Sequence, residues 1–145
     1  MREVLFRGKD LSGITNHSWV FGSLDTTDKE YPSIIFNDRF GNRCRIFVYP
    51  KTVGQYTGLT DKNGKKIFEG DIIKQINSYD NLEIIGVVRF SKSSQFVISH
   101  TYTEKENYYK RGKKKAFAIK TNCEIIDNIH DNITPNLWNG WNCRR

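Results

Sequence analysis

The chain has 145 residues and a formal net charge of +7, with 37% hydrophobic and 13% aromatic residues. This length suits one domain, or two small ones sharing a core, large enough to fold without a disulfide or a metal. The aromatic content excludes a disordered chain, and the lack of any run near ~18 apolar residues excludes a transmembrane helix. Met1-Arg2-Glu3-Val4 carries no apolar signal core, and Cys44, Cys123 and Cys143 form no close pair. The expectation is a protein of the reducing cytoplasm with neither a disulfide framework nor a zinc knuckle.

Taken in chain order, the sequence reads as short strands separated by turns. Isoleucine outnumbers leucine, and alanine occurs only at Ala116 and Ala118. Such a balance suits a pleated surface better than a helix. A first strand is expected over residues 2–7, closed by Gly8, and a second over 19–24. A third is expected over 33–36, following Pro32, because proline is tolerated at a strand's start. In the fourth, 43–48, Cys44, Ile46 and Val48 alternate with Arg43, Arg45 and Phe47, which predicts one buried face. Pro50-Lys51-Thr52-Val53 can form a single helical turn with proline at its first position.

The clearest local signal is Thr60-Asp61-Lys62-Asn63-Gly64-Lys65. Asn-Gly accepts positive φ at both positions, which predicts a hairpin turn followed by a strand over 66–68. Gly70 then marks a bulge or sharp bend before pairing resumes at 72–74. Further strands are predicted at 84–90, 95–98, 116–120 and 124–126, favouring a small antiparallel barrel. Helix is expected to be scarce; the best candidate, 103–110, is polar and short.

The run from Thr52 through Gly54-Gln55-Tyr56-Thr57-Gly58, Asp61-Lys62-Asn63-Gly64 and Phe68-Glu69-Gly70-Asp71 to Ile73 resembles the YopX family. The likeness extends to residues 2–8, to Trp19-Val20-Phe21-Gly22-Ser23-Leu24, and to Glu124–Asn132, and so covers most of residues 1–138. The resemblance implies a small phage or prophage protein with a β-rich fold and an SH3-like barrel. It supplies no activity, catalytic residue or cofactor. The lysine-rich stretch at 110–115 and the closing Asn139–Arg145 depart from the family pattern.

The residues of the central run have an architectural reading of their own. Gly54, Gly58, Gly64 and Gly70 suit positive φ or close backbone approach, and Tyr56 and Phe68 suit apolar contacts. Asp61 and Asp71 are suited to capping their turns through their carboxylates, beside Asn63 and Gly70. The alternative is a groove lined by Tyr56, Asp61, Glu69 and Asp71, whose carboxylates would serve as a metal or acid/base set. No metalloprotease, nucleophile-elbow or phosphate-loop motif occurs, and His17, His100 and His130 stand in unrelated contexts. A Cys–His pairing involving Cys44 or Cys123 is the minority reading, as is metal binding by His130 beside Asp127 and Asp131. The sequence therefore predicts no enzyme, no cofactor and no metal.

Charge is concentrated late in the chain. Lys110, Arg111, Lys113, Lys114, Lys115 and Lys120 have no acid among them, and without these six the protein is nearly neutral. Tyr108 and Tyr109 adjoin the cluster. Two readings stay open: a solvated loop, or contact with nucleic acid through counterion release and base stacking. A membrane surface is disfavoured, since no amphipathic anchoring helix accompanies the charge. Trp138 and Trp141 in a polar tail favour a homo-oligomer.

Together these readings give a mainly β protein: an SH3-like barrel over 59–132, an intimately packed β-rich part over 1–58, and an aromatic, basic tail over 133–145. The function expected is that of a non-enzymatic accessory protein. It would bind nucleic acid or a host or phage protein, with a self-associating oligomer as the alternative and a small-ligand enzyme third.

Overall fold

The computed structural model describes residues 3–76, 81, 83–102 and 116–131. They form an all-antiparallel β protein whose only helical element is a single 3-10 turn at Pro50–Thr52. The chain divides into two compact units, Met1–Tyr56 and Thr57–Asp131.

The first unit is a meander of β1 (Phe6–Lys9), β2 (Trp19–Asp25), β3 (Ser33–Asn37) and β4 (Arg43–Phe47), with the start of β5 (Gly54–Thr60) beside β1. The alternation predicted for β4 is observed: Ile46 and Val48 are buried while Arg43, Arg45 and Phe47 face outward. Val20, Ile34, Ile46 and Val48 form the core, with Phe6, Leu24, Phe36 and Val53 against it. The strand expected over 2–7 instead runs Phe6–Lys9, with Gly8 inside it rather than at its end. A Cβ at Gly8 would lie 2.7 Å from Val48 Cγ2, so glycine is required there by close packing and does not signal a turn. Thr52 locks the 3-10 turn to β1: its Oγ1 accepts the Lys9 N–H at 2.8 Å and donates to the Tyr49 carbonyl at 2.6 Å.

In the second unit the sheet order is β10-β9-β8-β7-β11, from β7 (Asp71–Ile76), β8 (Glu83–Phe90), β9 (Phe96–Tyr102), β10 (Ala116–Ala118) and β11 (Glu124–Asn128). The later part of β5 continues into this unit beside β6 (Lys66–Phe68). Ile67, Ile73, Ile84, Val88, Ile98 and Cys123 make the core, with Phe117, Ile119 and Ile125 packed on it. At roughly 1.5–3 kcal/mol for each fully buried aliphatic side chain, these residues dominate the unit's stability. A bulge between Ile125 and Asp127 turns Ile126 outward.

Among the described residues both sheets are open, with β4 and β6 at the edges of one and β10 and β11 at the edges of the other, and no closed barrel is present. The helix candidate at 103–110 lies outside the described residues.

Candidate functional site

Of the basic cluster, only Lys120 falls within the described residues; Lys110, Arg111, Lys113, Lys114, Lys115, Tyr108 and Tyr109 lie outside them, as does the tail with Trp138 and Trp141. The cluster's near end is held by a buried side chain. Gln75 on β7 is almost fully buried, yet both ends of its amide are used: Nε2 donates to the Ala118 carbonyl at 2.9 Å, and Oε1 accepts the Lys120 N–H at 3.0 Å. A buried amide satisfied at both ends is a strong positional constraint. It fixes the backbone just after β10, whose strand is also paired with β9 through Ala116 and Ser99. Residues 103–115 thus join two strands of one sheet in sequence.

The central glycine and aspartate residues form a turn whose type differs from the sequence expectation. Gly64 has φ +81°, while Asn63 is not among the residues with positive φ. The Gly64 N–H donates to the Asp61 carbonyl at 3.0 Å, and the Asp61 N–H to the Lys65 carbonyl at 2.8 Å. This is a three-residue hairpin loop in which one left-handed glycine closes a turn of the common type, so only Gly64 needs positive φ. Asp61, 5% exposed, holds the loop: Oδ1 accepts the N–H groups of Asn63 and Lys65, each at 2.9 Å, and Oδ2 accepts that of Ile125 at 3.2 Å. One carboxylate therefore ties the hairpin to β11, 64 residues away. Burial by itself would raise the Asp61 pKa, but the amides of Lys65, Ile125 and Asn63 and the charge of Lys65 outweigh it and hold the carboxyl below its usual range.

Asp71 accepts the Phe68 N–H at 2.8 Å across the turn where Gly70 has φ +90°. Gly58 also has positive φ, at +85°, and the Tyr56 side chain is buried in the first unit. These contacts commit Asp61 and Asp71 to backbone amides. Among the described residues no three His, Cys, Asp or Glu side chains form a group able to hold a metal ion.

Cys123 is fully buried in the second core; burial first, and then the charge of Asp61, pushes its thiol above its ordinary pKa. A nucleophilic cysteine needs the opposite shift. Cys44 is half-buried, its Sγ 3.6 Å from the Asn42 carbonyl. His130 sits in the turn after β11, where its N–H and that of Asp131 both donate to Asn128 Oδ1 at 2.8 Å. Asn128 Nδ2 in turn bonds the Asp131 carboxylate.

Two features escaped the sequence reading. Asp10, completely buried, accepts from the backbone and hydroxyl of both Ser12 and Thr15 at 2.5–2.8 Å and so shapes the loop between β1 and β2. Burial alone would raise its pKa; the hydrogen bonds of Ser12 and Thr15 overcome this and lower it. The second is the face of the first sheet opposite its core. There Trp19 lies under the Arg7 guanidinium at 4.1 Å and near the Lys9 ammonium at 5.1 Å, and Phe21 is 46% exposed. The signal was present in the alternation of Trp19 and Phe21 with Val20, but a run of three apolar residues masks it.

Fold and turn chemistry define a two-unit, all-antiparallel β protein in which the carboxylates of the glycine-rich turns serve architecture. No helix among the described residues is long and apolar enough to cross a membrane. The chain belongs to the YopX family: the family model described as "YopX protein" matches residues 6–137. No curated protein matches it.

Proposed function

We propose that this chain is a non-enzymatic accessory protein of a phage or prophage, working in the bacterial cytoplasm, that binds nucleic acid through the basic segment 110–120. The observation that carries the reading is the localisation of charge. Six bases without an intervening acid account for nearly all of the +7 net charge, and they lie in one stretch of chain. Such a stretch gains affinity for phosphates by releasing their counterions. The anchoring of Lys120 by Gln75 supports it further, because it gives the cationic stretch a fixed point on the sheet. A non-catalytic role agrees with the commitment of Asp61 and Asp71 to backbone amides and with the upward shift of the Cys123 thiol.

The test is a fluorescence-anisotropy titration of the full chain with labelled single- and double-stranded oligonucleotides at ~50 mM salt. Binding should be weak in sequence preference, and Lys113→Ala, Lys114→Ala and Lys115→Ala together should weaken all sequences alike. For every lysine that neutralises a phosphate, its replacement should lower the slope of log K against log salt by about one unit on duplex DNA. Absence of binding, or binding unchanged in the triple variant, would remove the proposal.

Self-association is a second reading. β11 is an edge strand and its Ile126 is 47% exposed, while Ile76 at the end of neighbouring β7 is 52% exposed. Apolar side chains on a sheet edge invite pairing with another copy. Light scattering after size-exclusion chromatography separates the two: a strict monomer at micromolar concentration excludes the oligomer.

A further inference from the structure

β4 is an edge strand of the first unit's sheet, and its ladder with β3 fixes which backbone groups it leaves open. The Val48 N–H donates to the Pro32 carbonyl at 3.0 Å, and the Asp38 N–H to the Asn42 carbonyl at 2.8 Å. With Ser33 opposite Phe47 and Asn37 opposite Arg43, these bonds turn the amides of Cys44 and Ile46 toward β3. Arg43, Arg45 and Phe47 therefore aim their backbone groups away from the sheet. The Phe47 carbonyl is taken by the Leu11 N–H at 2.8 Å, and Asp10 bridges Val48, so residues 9–11 cover that end of the edge. Among the described residues nothing bonds the N–H and C=O of Arg43 and Arg45.

The other edge strands differ, because side chains or neighbouring backbone take up their groups. At β11 the Ile125 N–H goes to the Asp61 carboxylate at 3.2 Å, and the Cys123 carbonyl just before the strand accepts the Lys62 N–H at 2.9 Å. On β6 the Phe68 N–H goes to the Asp71 carboxylate and the Ile67 carbonyl to the Thr57 hydroxyl, each at 2.8 Å. On β10 the Ala118 carbonyl is taken by Gln75.

The open stretch of β4 carries charge of one sign. Arg43 and Arg45 project on the face away from the core, and Arg39 stands in the turn before the strand. Arg43 is exposed and makes no ion pair among the described residues, while Arg45 pairs with Asp25 at 2.8 Å. Asp38, the acid of that turn, is occupied by the N–H groups of Phe40 and Asn42, each at 2.9 Å. A phosphodiester chain offers acceptors for the open N–H groups but no donors for the carbonyls beside them. An extended polypeptide offers both at the same repeat. Charge disfavours a second copy, since symmetric antiparallel pairing centred on Arg43, Cys44 or Arg45 sets arginine opposite arginine. Centring it further along the strand collides with residues 9–11. An acidic strand meets neither conflict.

We propose that β4 accepts an extended acidic segment of another protein as an added antiparallel strand, with carboxylates at alternate positions opposite Arg43 and Arg45. The inference goes beyond the nucleic-acid reading and uses a different part of the chain. In such a pair the residues opposite Arg43 and Arg45 exchange N–H···O=C bonds with them, and the residues between turn their amides outward.

The probe is a fluorescein-labelled peptide of about eight residues in which glutamate alternates with valine, titrated by anisotropy against the full chain. N-methylation of its glutamate nitrogens, which face β4, should weaken binding by about tenfold or more. N-methylation of its valine nitrogens, which face away, should change binding by less than about threefold. Both comparisons use the unaltered chain, so neither depends on a variant folding. Arg43→Glu should weaken the peptide about tenfold and strengthen binding of its counterpart with lysine for glutamate. Exchange of the Arg43 and Arg45 amides should slow when the peptide is added. Lys113→Ala, Lys114→Ala and Lys115→Ala together should leave peptide binding within about twofold, which separates this edge from capture by the basic segment. No binding up to about millimolar peptide, equal effects of the two methylation patterns, or loss of binding in the triple variant would overturn the proposal. Displacement of the peptide from the triple variant by oligothymidylate would assign the edge to nucleic acid instead. Peptide affinity that falls as the protein self-associates would assign it to a second copy.

Discussion

Asp61→Ala removes the acceptor of three backbone N–H groups at once, those of Asn63, Lys65 and Ile125. A hydrogen bond to a charged group contributes about 1.5–3 kcal/mol where it is well buried, and less where water can replace it. Both turn amides are at the protein surface's edge, so about 1 kcal/mol each is the fitting figure, with the same for Ile125, whose 3.2 Å contact is the longest. The loss should be about 3 kcal/mol, which lowers Tm by roughly 6–12 °C in a chain of this size. The assay is thermal and urea denaturation at pH 7 followed by circular dichroism. Asp61→Asn should recover only part of the loss, because one of its two heads is an NH2 that cannot accept. The pH dependence follows from the sign of the shift. The folded carboxyl titrates below its unfolded value, so its contribution is present above about pH 4 and lost as pH falls through the folded pKa. The wild type should therefore lose stability more steeply in acid than Asp61→Asn does. An unchanged midpoint for Asp61→Ala at pH 7 would refute the claim that this carboxylate joins the hairpin to β11.

Gly64→Val should destabilise by more than ~1–2 kcal/mol, while Gly64→Asn should lose less, because a Cβ there meets nothing within 4 Å and only φ +81° opposes it. Equal melting of the two variants would contradict the turn. Gly86→Ala should be worse than either, measured by the same urea curves, since its Cβ would lie 2.4 Å from Ile98 Cγ2 and 2.5 Å from the Ser99 carbonyl oxygen. Gln75→Leu should cost about 2 kcal/mol by leaving the Ala118 carbonyl and Lys120 N–H without their partner, and hydrogen exchange should quicken first at residues 118–120.

Much of the strand pattern was legible because period-two alternation has a direct physical cause. Cys44, Ile46 and Val48 point inward for the reason that Arg43 and Arg45 do not. What failed has equally local reasons. Gly8 resembles a strand terminator in sequence but answers a contact with Val48 forty residues later. Asn63-Gly64 marked the hairpin, yet the pair alone does not decide whether one or both residues take positive φ; the Asp61 carboxylate, bonded to the Asn63 and Lys65 amides, holds the form with one. β5 carries two glycines and two threonines over Gly54–Thr60, so its pattern is weak until its partners are known. Asp10 looks like any loop acid, because burial by the strands around it cannot be read from Asp-Leu-Ser-Gly. The aromatic, basic face emerges only when register sets Arg7 and Lys9 against Phe21 and Trp19.

The central proposal is that the basic segment 110–120 contacts nucleic acid. Photo-crosslinking to a single strand bearing 5-bromouracil, followed by peptide mass spectrometry, reads that contact directly. The account predicts crosslinked peptides containing residues 110–120, diminishing as salt is raised. Crosslinks confined to other parts of the chain, or none at low salt, would contradict it.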